Sequence, residues 1–140
     1  MRLILRPGKA VIVTTTPLPT DLRTFITRYV HSVEQMEILR LLAEDTDRDW
    51  TASEVFKTIQ SSRTSVTGNL EYFARERILR ANPDGTYRFV PESAEIHRLA
   101  AELLQAYRER RVAVIEAIYQ APLAPIRDFA EAFRLRKDNP

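Results

Sequence analysis

Two capping boxes in tandem, a polar-faced helical run after a short polar turn, and an Asn-Pro-Asp-Gly turn between two strand-like runs predict a mainly α-helical fold. In that order they read as a winged helix-turn-helix with a small β-hairpin wing, followed by a long C-terminal helix and a final short helix. A chain of 140 residues that is 44% hydrophobic suffices for one core without external staples. The sequence has no cysteine, which excludes disulfides, thiolate metal sites and cysteine nucleophiles. His31 and His97 are far apart in sequence, so no metal site is expected. The segment after Met1 lacks the apolar run of a secretory leader, and no stretch is long enough to cross a bilayer. A cytoplasmic protein without a membrane partner is the expectation.

Residues 1–19 form an N-terminal hairpin or a flexible extension. Leu3-Ile4-Leu5 and Ala10-Val11-Ile12-Val13 flank Arg6-Pro7-Gly8-Lys9, a turn-forming run, and a proline-containing linker follows. The predicted winged domain with its leading helix spans 20–91. Thr20 is placed to cap a first helix, in which Leu22, Phe25, Ile26, Tyr29 and Val30 fall at helical intervals. Ser32-Val33-Glu34-Gln35 opens a second helix, with Gln35 reaching back to the Ser32 amide, and Thr51-Ala52-Ser53-Glu54 opens a third just after Trp50. The polar run Gln60-Ser61-Ser62 then leads into a helix over 62–76, whose Val66, Leu70 and Phe73 face inward. Ile78-Leu79-Arg80 and Thr86-Tyr87-Arg88-Phe89-Val90, joined by Asn82-Pro83-Asp84-Gly85, make the hairpin over 78–90.

Residues 92–140 make a long helix and a terminal helix. From Glu92 to Tyr119 there is no Gly or Pro, and Ile96, Leu99, Leu103, Tyr107, Val114 and Ile118 recur at helical spacing. At 1.5 Å per residue this is a rod of about 40 Å, longer than one small core needs, so a partner surface is expected. Arg110 and Arg111 interrupt the stripe and mark a kink or a rim. After the break at Pro122 and Pro125, Ile126, Phe129, Ala130 and Phe133 line a last amphipathic helix.

The order of helix, helix, short Trp50 strand, helix, helix and hairpin resembles winged-helix bacterial regulators of the MarR and ArsR type. The phrase Ser65-Val66-Thr67-Gly68-Asn69-Leu70, with Phe73 and Ile78-Leu79, resembles them too. The likeness covers about 60 residues. It implies a homodimer joined through its first and last helices, and Leu22, Phe25, Leu103, Tyr107, Val114, Ile115, Ile118, Phe129 and Phe133 are the candidate interface residues. Two features depart from the family pattern. Arg77 stands where a glycine commonly precedes the wing, and the second strand of the wing carries Arg88 as its one base. The phrase from Phe129 to Asp138 resembles the ending of a group of small bacterial helix-turn-helix proteins, a likeness that carries no activity.

Charge is distributed unevenly. Residues 1–31 hold five Lys/Arg against one Asp, whereas residues 32–60 hold three Lys/Arg against seven Asp/Glu. The candidate DNA-binding surface is Arg63, Thr64, Ser65, Thr67, Gly68 and Asn69 at the start of the recognition helix, where small polar side chains permit close approach to a groove. Arg75, Arg80, Thr86 and Arg88 are candidates for backbone contacts. No Gly-rich phosphate loop, metal-ligand cluster or Ser/His/Asp arrangement can be assembled, so neither catalysis nor a cofactor is expected. The expected function is sequence-specific, double-stranded-DNA-binding transcriptional regulation by a homodimer. The alternative is a winged-helix protein-interaction module that does not bind DNA, favoured by the acidic run beside the recognition helix. No residue set identifies a small-molecule effector.

Overall fold

The computed structural model of the chain describes residues 17–120, which fold as six helices and a two-stranded antiparallel sheet. The elements are α1 (Thr20–Tyr29), α2 (Val33–Ala43), α3 (Ala52–Thr58), α4 (Arg63–Arg75), β1 (Leu79–Ala81), β2 (Tyr87–Phe89), α5 (Ala94–Glu109) and α6 (Arg111–Gln120). The expected N-terminal hairpin and terminal helix, with Phe129 and Phe133, lie outside the described residues.

Local side-chain chemistry sets most helix starts. Ser32, Thr51, Ser62 and Ser93 each accept a hydrogen bond from the backbone N–H three residues on, relieving one of the unpaired donors of a first turn. The Thr51 and Glu54 capping box is complete in both directions. The other predicted box is shifted: the Gln35 carboxamide oxygen accepts from the His31 amide at 2.7 Å, one residue before Ser32. Thr20 is not a cap. Pro19, already extended, occupies the cap position without a side-chain bond, and Thr20 is the first helical residue.

α4 ends in a Schellman motif. The Ile78 N–H reaches the Phe73 carbonyl at 3.0 Å and the Arg77 N–H reaches Ala74 at 3.1 Å, with Arg77 in the left-handed region at φ 66°. A residue with a Cβ is strained there. Two contacts to Glu92 hold it: the Arg77 carbonyl accepts the Glu92 N–H at 2.9 Å, and the guanidinium meets the carboxylate at 3.1 Å. The chain therefore keeps the turn geometry usually given to glycine.

The motif delivers the chain into β1, which pairs with β2 in the register Leu79↔Phe89, Arg80↔Arg88 and Ala81↔Tyr87. Gly85, at φ 90°, allows the connecting turn to close. Trp50 forms a bridge to Tyr87 through two backbone hydrogen bonds of 2.8 Å, so it covers the outer edge of β2 and joins the loop before α3 to the hairpin.

The buried side chains form one cluster running from Leu18 to Ile118. α2 lies at its centre, with Met36, Ile38, Leu39 and Leu42 wholly inaccessible. The uninterrupted rod over 92–119 is not formed. The chain breaks at Arg110, where φ is −139° and ψ 57°, and α6 packs back against α1. The physical reason is burial: the turn brings Val114 and Ile118 into the chain's own core, an area that an extended rod would leave to another molecule. The same accounting moves Leu22, Phe25, Leu103, Tyr107, Val114 and Ile118 from a predicted subunit interface into that core, where each is at most 3% exposed. Ile115 is partly buried. Val112 and Tyr119 on α6 remain outward, 68% and 66% exposed.

Arg77→Gly should stabilise the protein by about 1 kcal/mol, because relief of left-handed strain exceeds the value of an ion pair exposed at both ends. Thermal denaturation followed by circular dichroism checks it. An unchanged or lower melting temperature would show that the Glu92 contacts outweigh the strain.

Candidate nucleic-acid interface

The site begins with how α4 is held. Val66, Leu70 and Phe73 are wholly buried, so one side of the helix is committed to the core and the other faces outward. Between these sides lies a polar seam, and Glu34 on α2 is its acceptor. Glu34 Oε1 accepts from the Ser61 hydroxyl at 2.5 Å, and Oε2 accepts from the Ser65 hydroxyl at 2.7 Å and the Asn69 amide at 2.8 Å. The Asn69 Oδ1 in turn accepts from Gln35 Nε2 at 2.9 Å. Burial would raise the Glu34 carboxyl, but the donors from Ser61, Ser65 and Asn69 outweigh it and hold the group below its ordinary value. Further along, the Tyr72 hydroxyl donates to the Tyr29 carbonyl at 2.8 Å, and Arg28 meets Glu76 at 2.8 Å, tying the end of α4 to α1.

Of the six residues predicted at the start of the recognition helix, Ser65 and Asn69 are thus turned toward α2 and bound there. The sequence groups them with the polar surface at the helix start; their bonds to Glu34 draw them in. Arg63, Thr64 and Gly68 stay exposed, with Thr67 half-buried beside them and Arg75 two turns further on. A Cβ added at Gly68 would meet no heavy atom of the described residues within 4 Å, so the helix is uncrowded at this position. The Arg63 guanidinium lies over the Phe56 ring at 4.7 Å, which rests the charged end of its side chain on α3. Glu71, not predicted as a site residue, is exposed on the same helix between Gly68 and Arg75.

The hairpin residues are more engaged than expected. Arg88 pairs with Asp49 at 2.8 Å, and Arg80 donates to the Asn82 side chain at 2.9 Å. Arg80 and Arg88 are cross-strand neighbours, where like charges repel, and these separate partners offset the repulsion. Thr86 donates its hydroxyl to Asp84 at 2.6 Å, so it stabilises the turn. The acidic residues around Trp50 are partly engaged in the same way, while Asp45 and Asp47 stay exposed. Glu44 pairs with Arg40 and Arg108, Asp49 with Arg88, and Glu54 with Arg48.

Phe56, Glu34 and Glu71 were not among the predicted site residues. Phe56 sits at the helical spacing of a core position, and nothing local to Glu34 indicates partners 27 to 35 residues away.

Elsewhere, perturbed groups have packing explanations. The Tyr107 hydroxyl donates to Glu37 and accepts from Arg111 at 2.8 Å, while Glu37 also meets Arg40 at 2.8 Å. Burial, reinforced by the Glu37 contact, pushes Tyr107 up to about 12; burial and the nearby Glu76 charge do the same for Tyr72. Among the described residues no group of three or more His, Cys, Asp or Glu side chains is placed to hold a metal ion. No described helix is long and apolar enough to cross a membrane. A solvent-open groove of ≈ 680 Å³ lies between α1 and the start of α5, floored by Phe25, Tyr29, Ile96 and Leu99. Comparison of the chain with protein families, curated proteins and solved structures gave no match.

The raised tyrosines carry a pH prediction. Both hold their protons in the folded state above the ordinary value of 10.0, so their contribution is complete below that value and is lost as pH rises toward about 12. Urea unfolding midpoints should fall across this range, and the fall should be shallower in Tyr72→Phe and Tyr107→Phe. Parallel midpoint curves for the wild type and both variants would refute the assignment.

Proposed function

We propose that the protein is a winged-helix, DNA-binding transcriptional regulator acting as a homodimer, with the helix over 62–76 entering the major groove and the hairpin over 78–90 lying on the flanking backbone. The observation that carries this reading is the division of α4. Its inward polar groups are tied to α2, while Arg63, Thr64, Thr67 and Gly68 form an outward surface, uncrowded at Gly68, at the helix start, from which such a helix meets base edges and phosphates. Pairing of Asp49 with Arg88 and of Glu44 with Arg108 supports it further, because these two arginines lie outside the acidic segment and lower the net charge it presents to a polyanion. The homodimer rests on the exposed apolar side chains Val112 and Tyr119.

Glu71 favours the second reading, a protein-interaction module that does not bind DNA, since a carboxylate in the middle of the outward face of α4 opposes a phosphate backbone. Fluorescence anisotropy separates the two. Purified protein is titrated against random and genomic-fragment duplexes at low and physiological salt, beside an Arg63→Ala, Thr67→Ala variant. The regulator reading expects salt-sensitive binding that the variant weakens about tenfold, with a salt slope shallower by about 1. Absence of binding at low salt would overturn that reading and leave the protein-interaction module.

A further inference from the structure

We propose that Glu34 is a positioning residue for the outward face of α4, holding the first two turns of that helix and the turn before it through Ser61, Ser65 and Asn69. The inference rests on the DNA-binding reading above and names what keeps that surface in place.

The geometry is specific. Ser65 and Asn69 are four residues apart, so their two bonds to Glu34 Oε2 bracket one full turn of α4. Ser61, on Oε1, pins the residues that lead into the Ser62 cap. Gln35 holds Asn69 from its other side, so α2 grips α4 through two consecutive residues. Arg63, Thr64, Thr67 and Gly68 lie on the same turns as these anchors. A slip or rotation of α4 that broke the Glu34 contacts would carry all four with it. The three donors are neutral, so Glu34 acts here as an acceptor that organises a turn and not as half of an ion pair.

Two roles for this carboxylate predict opposite signs. As a bare negative charge near a nucleic-acid surface, its removal tightens DNA binding; as a clamp, its removal weakens binding. Glutamine separates them. Glu34→Gln loses the charge, yet its oxygen can accept from Ser65 and Asn69, and its amide can donate to the Ser61 hydroxyl, which accepts as readily as it donates. Glu34→Ala loses the charge and all three bonds.

The experiment compares wild type, Glu34→Ala and Glu34→Gln in the anisotropy titration at low salt, and in amide hydrogen exchange on the unbound proteins. The expected result is about tenfold weaker DNA binding for Glu34→Ala, the scale of one charge-assisted hydrogen bond, with affinity kept or improved in Glu34→Gln. Exchange at 63–70 should be faster in Glu34→Ala and unchanged in Glu34→Gln. Tighter or unchanged binding by Glu34→Ala, with wild-type exchange over α4, would overturn the proposal. Should Glu34→Ala not fold, Ser61→Ala removes one bond and keeps the charge; faster exchange at the start of α4 with weaker binding supports the clamp, and no change in either refutes it. A wild type that binds no duplex overturns the DNA reading separately, and the exchange data on the unbound proteins still decide whether Glu34 holds α4.

Discussion

A carboxylate taken partly out of water must recover its hydrogen bonds from the protein, and α2 carries two such groups one turn apart. Glu34 recovers them from Ser61, Ser65 and Asn69, and Glu37 from Arg40, Tyr107 and Arg111. The first set lies in and before α4, and most of the second lies at the junction of α5 and α6. Hydrophobic burial puts α2 in the middle, but apolar contact has little directional preference and tolerates sliding. The two carboxylates supply the direction. They fix α4 on one flank and the α5–α6 corner on the other, each relative to the same helix. The Schellman turn at Arg77 and the hairpin that follows it hang from α4 once it is so placed.

What was legible in the sequence follows the range of the interactions. Caps at Ser32, Thr51, Ser62 and Ser93 act over three residues, and three of them lie at the helix starts that the sequence predicts. The hairpin was legible because Asn-Pro-Asp-Gly and the flanking strands are contiguous. The break at Arg110 was legible only in part, because Arg110 and Arg111 interrupt the apolar stripe but neither Gly nor Pro decides between a kink and a rim. It is made by Glu37, which is 74 residues away from Arg111, and by apolar area that α1 happens to cover. An apolar stripe declares that something covers it without saying what, which is why the six residues assigned to a subunit interface became core. The candidate surface divides in the same manner. Arg63, Thr64, Thr67 and Gly68 were identified from helical periodicity, while the withdrawal of Ser65 and Asn69 depended on a residue in another helix.

Charge shows the difference between composition and placement. The acidic excess over 32–60 suggests a surface hostile to polyanions, yet most of those carboxylates face an arginine or a set of hydroxyl and amide donors. Exposed pairs of this kind add little stability individually. Their larger effect is on the field outside the protein, which a count of Asp and Glu overstates.

Trp50 is the chain's one tryptophan, and its position makes it a built-in optical reporter. The indole is buried where the loop before α3 meets β2, its Nε1 has no hydrogen-bond partner among the described residues, and the Arg48 guanidinium covers one face at 3.6 Å from the ring centre. An indole shielded in this way emits at shorter wavelength than one in water. Any event that lifts the hairpin from the helices rehydrates the ring, so separation of these two parts is visible in the protein's own emission without an added label.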